Sequence, residues 1–124
     1  MTIVRAAEGV VHDLHGSRFI SYAAPSRSSR ELAAWRLEVP PATTGTAHRI
    51  TREEVLHVLS GALRLTLDGM AHDLSPGDVA VMAAGTEVRL DTTAGSPATA
   101  WVTTSAGLHA TLPDGSWISP PWAR

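Results

Sequence analysis

The sequence predicts an all-β protein folded as a single barrel or sandwich. The chain has 124 residues, 44% of them hydrophobic, which is the size of one domain with its own core. Turn-forming Gly, Pro, Asp and Ser recur at short, regular intervals along it. The segments between the turns are short runs of Val, Leu, Ile, Thr and Trp, as in small sandwiches and barrels. We therefore treat residues 1–124 as one domain.

The first third of the chain is predicted to contain two strands and one weak helical turn. Phe19 and Tyr22 lie in the N-terminal strand region, where a packing role is expected. The only helical candidate is a single turn over residues 28–32. A strand follows over 33–39, where apolar residues including Trp35 alternate with polar ones.

The most distinct hairpin is predicted over residues 61–74. Leu63, Leu65 and Leu67 alternate with polar residues, so one face of this strand should be buried and the other exposed to water. Asp68-Gly69 then supplies the positive φ angles that a two-residue hairpin turn needs.

Three further strands complete the predicted fold. Residues 79–82 and 88–90 are expected to form a second strand pair, joined by a turn at Ala84-Gly85. Residues 98–104 form another strand, which carries Trp101.

The composition excludes several classes of chemistry. The sequence contains no Cys, Lys, Asn or Gln, and all ten basic residues are Arg. Disulfides, thiolate nucleophiles, Cys-based zinc sites and lysine Schiff bases are therefore excluded. The net charge of −2 does not favour a nucleic-acid partner. No apolar run is long enough to span a membrane, and no signal peptide is expected, so we predict a cytoplasmic protein.

The most informative stretch lies over residues 48–61. Residues two apart on a strand share a face, so His48 and Ile50 should point the same way. A polar turn over 51–53 reverses the chain, and Glu54 opens the return strand with Leu56 on its face. His48 and Glu54 can therefore face one cavity, whereas His57 has the opposite parity and should face outward.

In this stretch the sequence resembles the cupin family. His48, Ile50, Glu54 and Gly61 stand at the His, His, Glu and Gly positions of the first cupin motif, over about 45–61. The second motif, over about 77–92, is matched by Gly77, Ala83, Gly85 and Val88 at its Gly, Pro, Gly and His positions. The resemblance to small bacterial single-domain cupins implies a jelly-roll β-barrel, also called a double-stranded β-helix, and a homodimer.

The metal site that the resemblance implies is incomplete. Metal-binding cupins hold the ion with three His and one Glu, and the corresponding positions here are His48, Ile50, Glu54 and Val88. Two of the four side chains are aliphatic and cannot donate to a metal. We therefore expect no cofactor, with a divalent metal held by His48, Glu54 and ligands outside the motif as the alternative.

An apolar cavity with two polar groups is the predicted site. We expect Ile50, Val88, Leu56, Trp35 and Trp101 to line it, and His48 and Glu54 to be its catalytic candidates. Such a lining favours an apolar or aromatic small ligand. Glu54 could orient His48 as a general base, or the two side chains could simply satisfy each other in the core.

Three functions remain open on the sequence alone. The favoured one is a metal-independent small-molecule-binding cupin, with isomerase or cyclase chemistry as a possibility. The alternatives are a metal-dependent enzyme such as a dioxygenase or isomerase, and a ligand-binding or sensing protein without chemistry.

The chain ends are predicted to close the barrel or to join two subunits. Trp117 and Trp122 belong to a tail that should cover a barrel mouth or form a subunit contact, and the N-terminal strands should exchange or pack between protomers. His12, Asp13 and His15 form a weaker candidate for a metal or acid–base cluster.

Overall fold

The computed structural model describes residues 2–124, which form twelve β-strands and a single 3-10 turn at Ala6–Glu8. The strands are β1 (Val10–Leu14), β2 (Ser17–Ala23), β3 (Leu32–Val39), β4 (His48–Ile50), β5 (Glu54–Ser60), β6 (Leu63–Leu67), β7 (Met70–Leu74), β8 (Val79–Met82), β9 (Glu87–Asp91), β10 (Ala98–Ser105), β11 (Ala110–Thr111) and β12 (Trp117–Ile118). The all-β prediction is confirmed. A membrane-crossing helix is absent from residues 2–124, since none there combines the length and apolar composition that a bilayer requires.

Two six-stranded antiparallel sheets face each other in the arrangement of a jelly roll. The first sheet has the order β1-β2-β3-β10-β5-β8, and the second has the order β12-β11-β4-β9-β6-β7. Because neighbours in each sheet are often far apart in sequence, the chain crosses repeatedly between the sheets. The predicted jelly-roll barrel is thus confirmed.

The core lies between the sheets and follows the period-two alternation of the strands. On β3 the buried residues alternate from Ala33 to Val39, and on β10 they alternate from Ala98 to Thr104. The second sheet contributes Ile50 and the buried face of β6. Burial of these aliphatic side chains is the main favourable term for the fold.

The predicted hairpin over residues 61–74 is confirmed. Strand β6 pairs with β7, and the turn residues Asp68 and Gly69 have φ angles of 48° and 83°. Positive φ at both central residues matches the twist of the flanking strands, and an Asp-Gly sequence supports it at little cost.

The predicted pairing of residues 79–82 with 88–90 is wrong, although both segments are strands. Strand β8 pairs with β5 in the first sheet, whereas β9 pairs with β4 and β6 in the second. The short loop between them is a corner between sheets. It is held at Gly85, whose amide donates to the Ile50 carbonyl at 2.7 Å. A short turn-rich loop looks the same in sequence whether it joins paired strands or turns a corner.

The helical turn predicted over residues 28–32 is also wrong. The amides of Arg27, Ser28 and Ser29 all donate to the Ala24 carbonyl, which closes one non-repeating turn. The chain then becomes extended at Leu32, where β3 begins. Pairing of β3 with β2 and β10 outweighs the weak local helical preference of this Ser-rich segment.

Candidate functional site

A cavity of about 100 Å³ lies between the two sheets. Apolar side chains of both sheets form its walls, among them Leu37, Val102, Leu90 and Met82. The polar side chains that line it are His15, Thr46, His48 and Glu54. An apolar cavity with a few convergent polar groups is the usual form of a small-molecule site.

All but one of the residues predicted to line the cavity do so. Ile50, Leu56, Val88 and Trp35 all line it. Trp101 does not, contrary to the prediction. It lies on the outer face of β10, where burial alternates, and its ring centroid is 5.7 Å from that of Tyr22. Adjacent residues of a strand point to opposite faces, so the inward position of Val102 predicts an outward position for Trp101.

The connection between β4 and β5 places Glu54 at the cavity. Residues 51–53 carry the chain from the second sheet to the first, and hydrogen bonds at both ends hold this crossing. The Thr51 amide donates to the His109 carbonyl at 3.1 Å, and the Thr104 hydroxyl donates to the Glu53 carbonyl at 2.7 Å. Strand β5 begins with Glu54 facing inward beside Leu56 and with His57 exposed, as predicted.

The carboxyl group of Glu54 is buried, and within residues 2–124 no charged side chain pairs with it. Only 8% of the residue is exposed. Burial alone raises the pKa of Glu54 from 4.5 to about 7, because removal from water disfavours the carboxylate. At neutral pH the group therefore exists in both protonated and ionised forms, which is the condition that suits a general acid or base.

The imidazole of His48 is oriented by the backbone, not by Glu54. Its Nδ1 lies 3.0 Å from the Thr46 carbonyl oxygen. A carbonyl oxygen only accepts, so this bond requires the proton on Nδ1 and leaves Nε2 as the acceptor. Glu54 takes no part in that bond. Among residues 2–124 no hydrogen bond joins Glu54 to His48, and the two groups line the cavity as separate polar groups.

The weaker candidate cluster near the N-terminus does not converge. Asp13 faces outward and accepts a hydrogen bond from Arg18 Nε at 3.0 Å. His12 lies beside Trp122, with ring centroids 6.4 Å apart. His15 alone reaches the cavity, from the β1–β2 turn, where its φ is 52°. The sequence analysis named His15 as part of this cluster and did not predict its place at the cavity.

The C-terminal tail closes the barrel beside β2. Trp122 is 6% exposed and stacks on Phe19, with centroids 3.7 Å apart and ring planes at 8°. The Ser21 hydroxyl donates to the Trp122 carbonyl at 2.6 Å. Trp117, by contrast, is 62% exposed. Of the two tail tryptophans, Trp122 therefore covers the barrel within its own chain.

Phe19, for which the sequence predicted only a packing role, also lines the cavity. It lies on the inner face of β2 with Ser21, while the outer face carries Ile20 and Tyr22. Both faces of this strand therefore bear apolar or aromatic residues. The alternation that marks an inward position is consequently missing here.

Comparison with known proteins identifies the family. The Cupin domain family matches residues 35–104, more than half of the chain. The chain belongs to the cupin family. A search of curated proteins finds no match.

Among solved structures, this cupin is similar to the polyketide cyclase RemF from Streptomyces resistomycificus. The two share 17% identity with a TM-score of 0.76, over 85% of this chain and 79% of that one. It is also similar to an RmlC-like cupin from Shewanella frigidimarina NCIMB 400, at 17% identity and a TM-score of 0.70, over 82% and 86% of the two chains. A cupin-superfamily sugar phosphate isomerase from Silicibacter pomeroyi has 18% identity and a TM-score of 0.67, over 93% and 87%. At these identities the likeness establishes the fold alone.

The residues of this cupin do not fit the metal of its metal-binding relatives. Ile50 and Val88 occupy two of the four ligand positions, and Val88 lies directly opposite His48 in the β4–β9 pairing. Within residues 2–124, no group of three or more His, Cys, Asp or Glu side chains is placed to hold an ion. We therefore derive no chemistry through a metal at this site.

Proposed function

We propose that this cupin binds an apolar small molecule in its barrel and transfers a proton to or from it without a metal. Glu54 is the proton carrier, and His48 Nε2 is a second acceptor on the same cavity. The reaction class that this arrangement suits is an isomerisation or a cyclisation, in which a proton moves between carbon and oxygen or between two carbons. The protein is inferred to act as a cytoplasmic homodimer, as small cupins do.

One observation carries this proposal. The carboxyl group of Glu54 lies on an apolar cavity, unpaired, with a pKa of about 7. A carboxylate with that pKa is a stronger base than an exposed one, and its conjugate acid is still available at neutral pH. Burial of an unpaired carboxyl disfavours the charged form, so a purely structural role gives no reason to keep it at this position.

Proteins of this reaction class occur among the solved structures that share this fold. Two of them are named as a cyclase and an isomerase. A cupin barrel hosts many chemistries, so this agreement supports the proposal only alongside the geometry of Glu54.

Base-catalysed ring opening of 5-nitrobenzisoxazole tests the proposal without knowledge of the natural substrate. A carboxylate removes the ring C–H proton, the N–O bond breaks, and the single product is a coloured 2-cyano-4-nitrophenolate, with the proton left on the carboxyl group. We expect kcat/KM to rise with pH through about 7, following the ionisation of Glu54. Glu54→Gln should lower kcat/KM about 100-fold, within the usual range for a general base.

A neighbouring carboxylate provides the matched control. Glu53 is exposed in the turn before β5, so Glu53→Gln should leave the rate unchanged. Equal rates for wild type and Glu54→Gln would overturn the proposed proton transfer. Loss of turnover on treatment with a chelator would overturn its metal independence.

A further inference from the structure

The ring of Trp122 is surrounded by other aromatic rings of the same barrel. Phe19 stacks on it, and Trp35 and His12 approach it with centroids at 6.4 Å and interplanar angles of 63° and 57°. These three residues lie on neighbouring strands of the first sheet, and His12 pairs directly with Phe19 across β1 and β2. The fold thus builds an aromatic recess, and the C-terminal tail fills it.

Two of the surrounding rings carry buried polar atoms without partners. Trp35 Nε1 and His12 Nε2 are both buried and form no hydrogen bond among the described residues. Nearly all buried polar atoms in proteins are paired, so two orphans around one ring need an explanation. Trp122 can stack in this recess, but its indole has no acceptor oxygen for the Trp35 N–H. An aromatic ligand with a hydroxyl or carbonyl oxygen would supply one.

The space left in the barrel is too small for an aromatic ligand while the tail is in place. The cavity of about 100 Å³ is smaller than the roughly 150 Å³ apolar cavity that admits benzene. Ligand sites usually measure about 300–1,000 Å³. A ring can therefore enter only if a side chain leaves.

Trp122 is the side chain that can move out of the recess with least disruption of the strand pairing. It follows β12, the last strand, and sits in a local turn closed by the Ala123 amide and the Pro120 carbonyl at 3.0 Å. Single hydroxyl bonds from Ser21 and Ser26 to the carbonyls of Trp122 and Arg124 hold this segment. No pairing between strands breaks if it detaches.

We propose that Phe19, Trp35 and His12 form an aryl-binding subsite that Trp122 occupies in the free protein. A planar aromatic ligand bearing an oxygen substituent displaces the indole, stacks on Phe19 and accepts a hydrogen bond from Trp35 Nε1. This inference rests on the proposed function in one respect, namely that the barrel takes up a small molecule. It adds the chemical class of that molecule and makes the tail its intramolecular competitor.

Calorimetric titration with 2-naphthol tests the subsite. Because removal of the competing indole frees the recess, we expect Trp122→Ala to bind 2-naphthol at least about tenfold more tightly than wild type. Trp117→Ala, in the same tail but exposed, is the matched control and should bind as wild type does. Equal affinity of wild type and Trp122→Ala would overturn the proposal.

The predicted partners within the recess can be tested in the Trp122→Ala background. Adding Phe19→Leu should remove most of the gain, because the stacking surface is lost. Adding Trp35→Phe should weaken the binding of 2-naphthol and leave the binding of naphthalene unchanged, because only 2-naphthol accepts a hydrogen bond. If the binding of both probes weakened equally, Trp35 Nε1 would not be the hydrogen-bond donor to the ligand.

A measurement on the otherwise unaltered protein decides the matter if Trp122→Ala does not fold. In protein labelled with 5-fluorotryptophan, the ¹⁹F resonance of Trp122 is assigned by its absence from Trp122→Phe. Saturating 2-naphthol should move this resonance towards the position of the exposed Trp117. A resonance that stays in place at saturation would overturn displacement.

The two proposals fail in distinguishable ways. Turnover of 5-nitrobenzisoxazole that depends on Glu54, without any gain in Trp122→Ala, would overturn the aryl subsite alone. A gain in 2-naphthol affinity without Glu54-dependent turnover would overturn proton transfer and support the subsite.

Discussion

The barrel interior and the β6–β7 hairpin place carboxyl groups in opposite surroundings. Inside, Glu54 has no partner, and burial raises its pKa to about 7. On the hairpin, Arg64 Nε donates to Asp73 Oδ1 at 2.8 Å across the strand pair, and this bond and the charge of Arg64 lower the pKa of Asp73. Asp73 is exposed, so its ionised form is solvated as well as paired.

The difference lies in whether a positive charge stands beside the carboxyl group. In metal-binding cupins the family pattern sets a cation beside the Glu, as Arg64 lies beside Asp73 here. In this chain Ile50 and Val88 leave the Glu without that positive charge. A carboxylate that would be a ligand beside a cation becomes an acid that titrates near neutral pH when aliphatic side chains stand at the other ligand positions.

Restoring the missing ligands should produce the largest change. The double substitution Ile50→His with Val88→His completes a set of three His and one Glu with His48 and Glu54. We expect Zn²⁺ to bind this variant about 100-fold or more tightly than wild type, since four donors replace two. Titration calorimetry and the metal-dependent rise in Tm would measure it.

In the same variant, a bound cation would stand beside Glu54 as Arg64 stands beside Asp73 on the hairpin. With a cation adjacent, Glu54 should ionise well below its present pKa of about 7. Zn²⁺ affinity in wild type as high as in the double variant would contradict the account, because it would reveal a complete site without Ile50 and Val88.

Removing the charge of Glu54 should have the next largest effect, and its sign depends on pH. The folded-state pKa lies above the unfolded value, so stability is fully present below pH 4.5, declines as pH rises to about 7, and is level above that. Glu54→Gln removes this decline. The variant should be more stable than wild type by about 3 kcal/mol at alkaline pH and similar to it under acidic conditions.

Urea unfolding across this pH range provides the measurement, and Asp73→Asn provides the control. Asp73 has a lowered pKa, so its stabilising effect is present above the unfolded value of 3.8 and is lost as pH falls. An exposed pair contributes little, and Asp73→Asn should not flatten the slope between pH 4.5 and 7. A slope in wild type that survives in Glu54→Gln would contradict the assignment to Glu54.

The sequence predicted the barrel and the inward pair well, because both depend on local patterns. Strand parity placed His48, Ile50 and Glu54 on inner faces, and Asp-Gly specified the β6–β7 turn. Features that depend on tertiary contacts were not predicted. The corner at Gly85 was predicted as a hairpin, because its strand partners are distant in sequence. The error at Trp101 is of another kind, since local parity alone assigns it to the outer face of β10.

Two further features of the site are not marked by the strand pattern of the sequence. His48 Nδ1 lies 3.0 Å from the carbonyl oxygen of Thr46, and strand parity does not predict such a bond between a side chain and the backbone. Phe19 meets Trp122 across about a hundred residues of sequence, and no local pattern on β2 marks that contact. Such pairings follow from the closure of the barrel.

A ¹³C NMR titration of the side-chain carboxyl groups tests the central claim most directly. The claim is that this barrel holds an unpaired, buried carboxyl poised for proton transfer. The account predicts a midpoint for Glu54 at about pH 7, with Asp73 in the same spectra titrating below its ordinary value of 3.8. A midpoint for Glu54 near 4.5 would contradict it, because the carboxyl would then be solvated or paired like any on the surface.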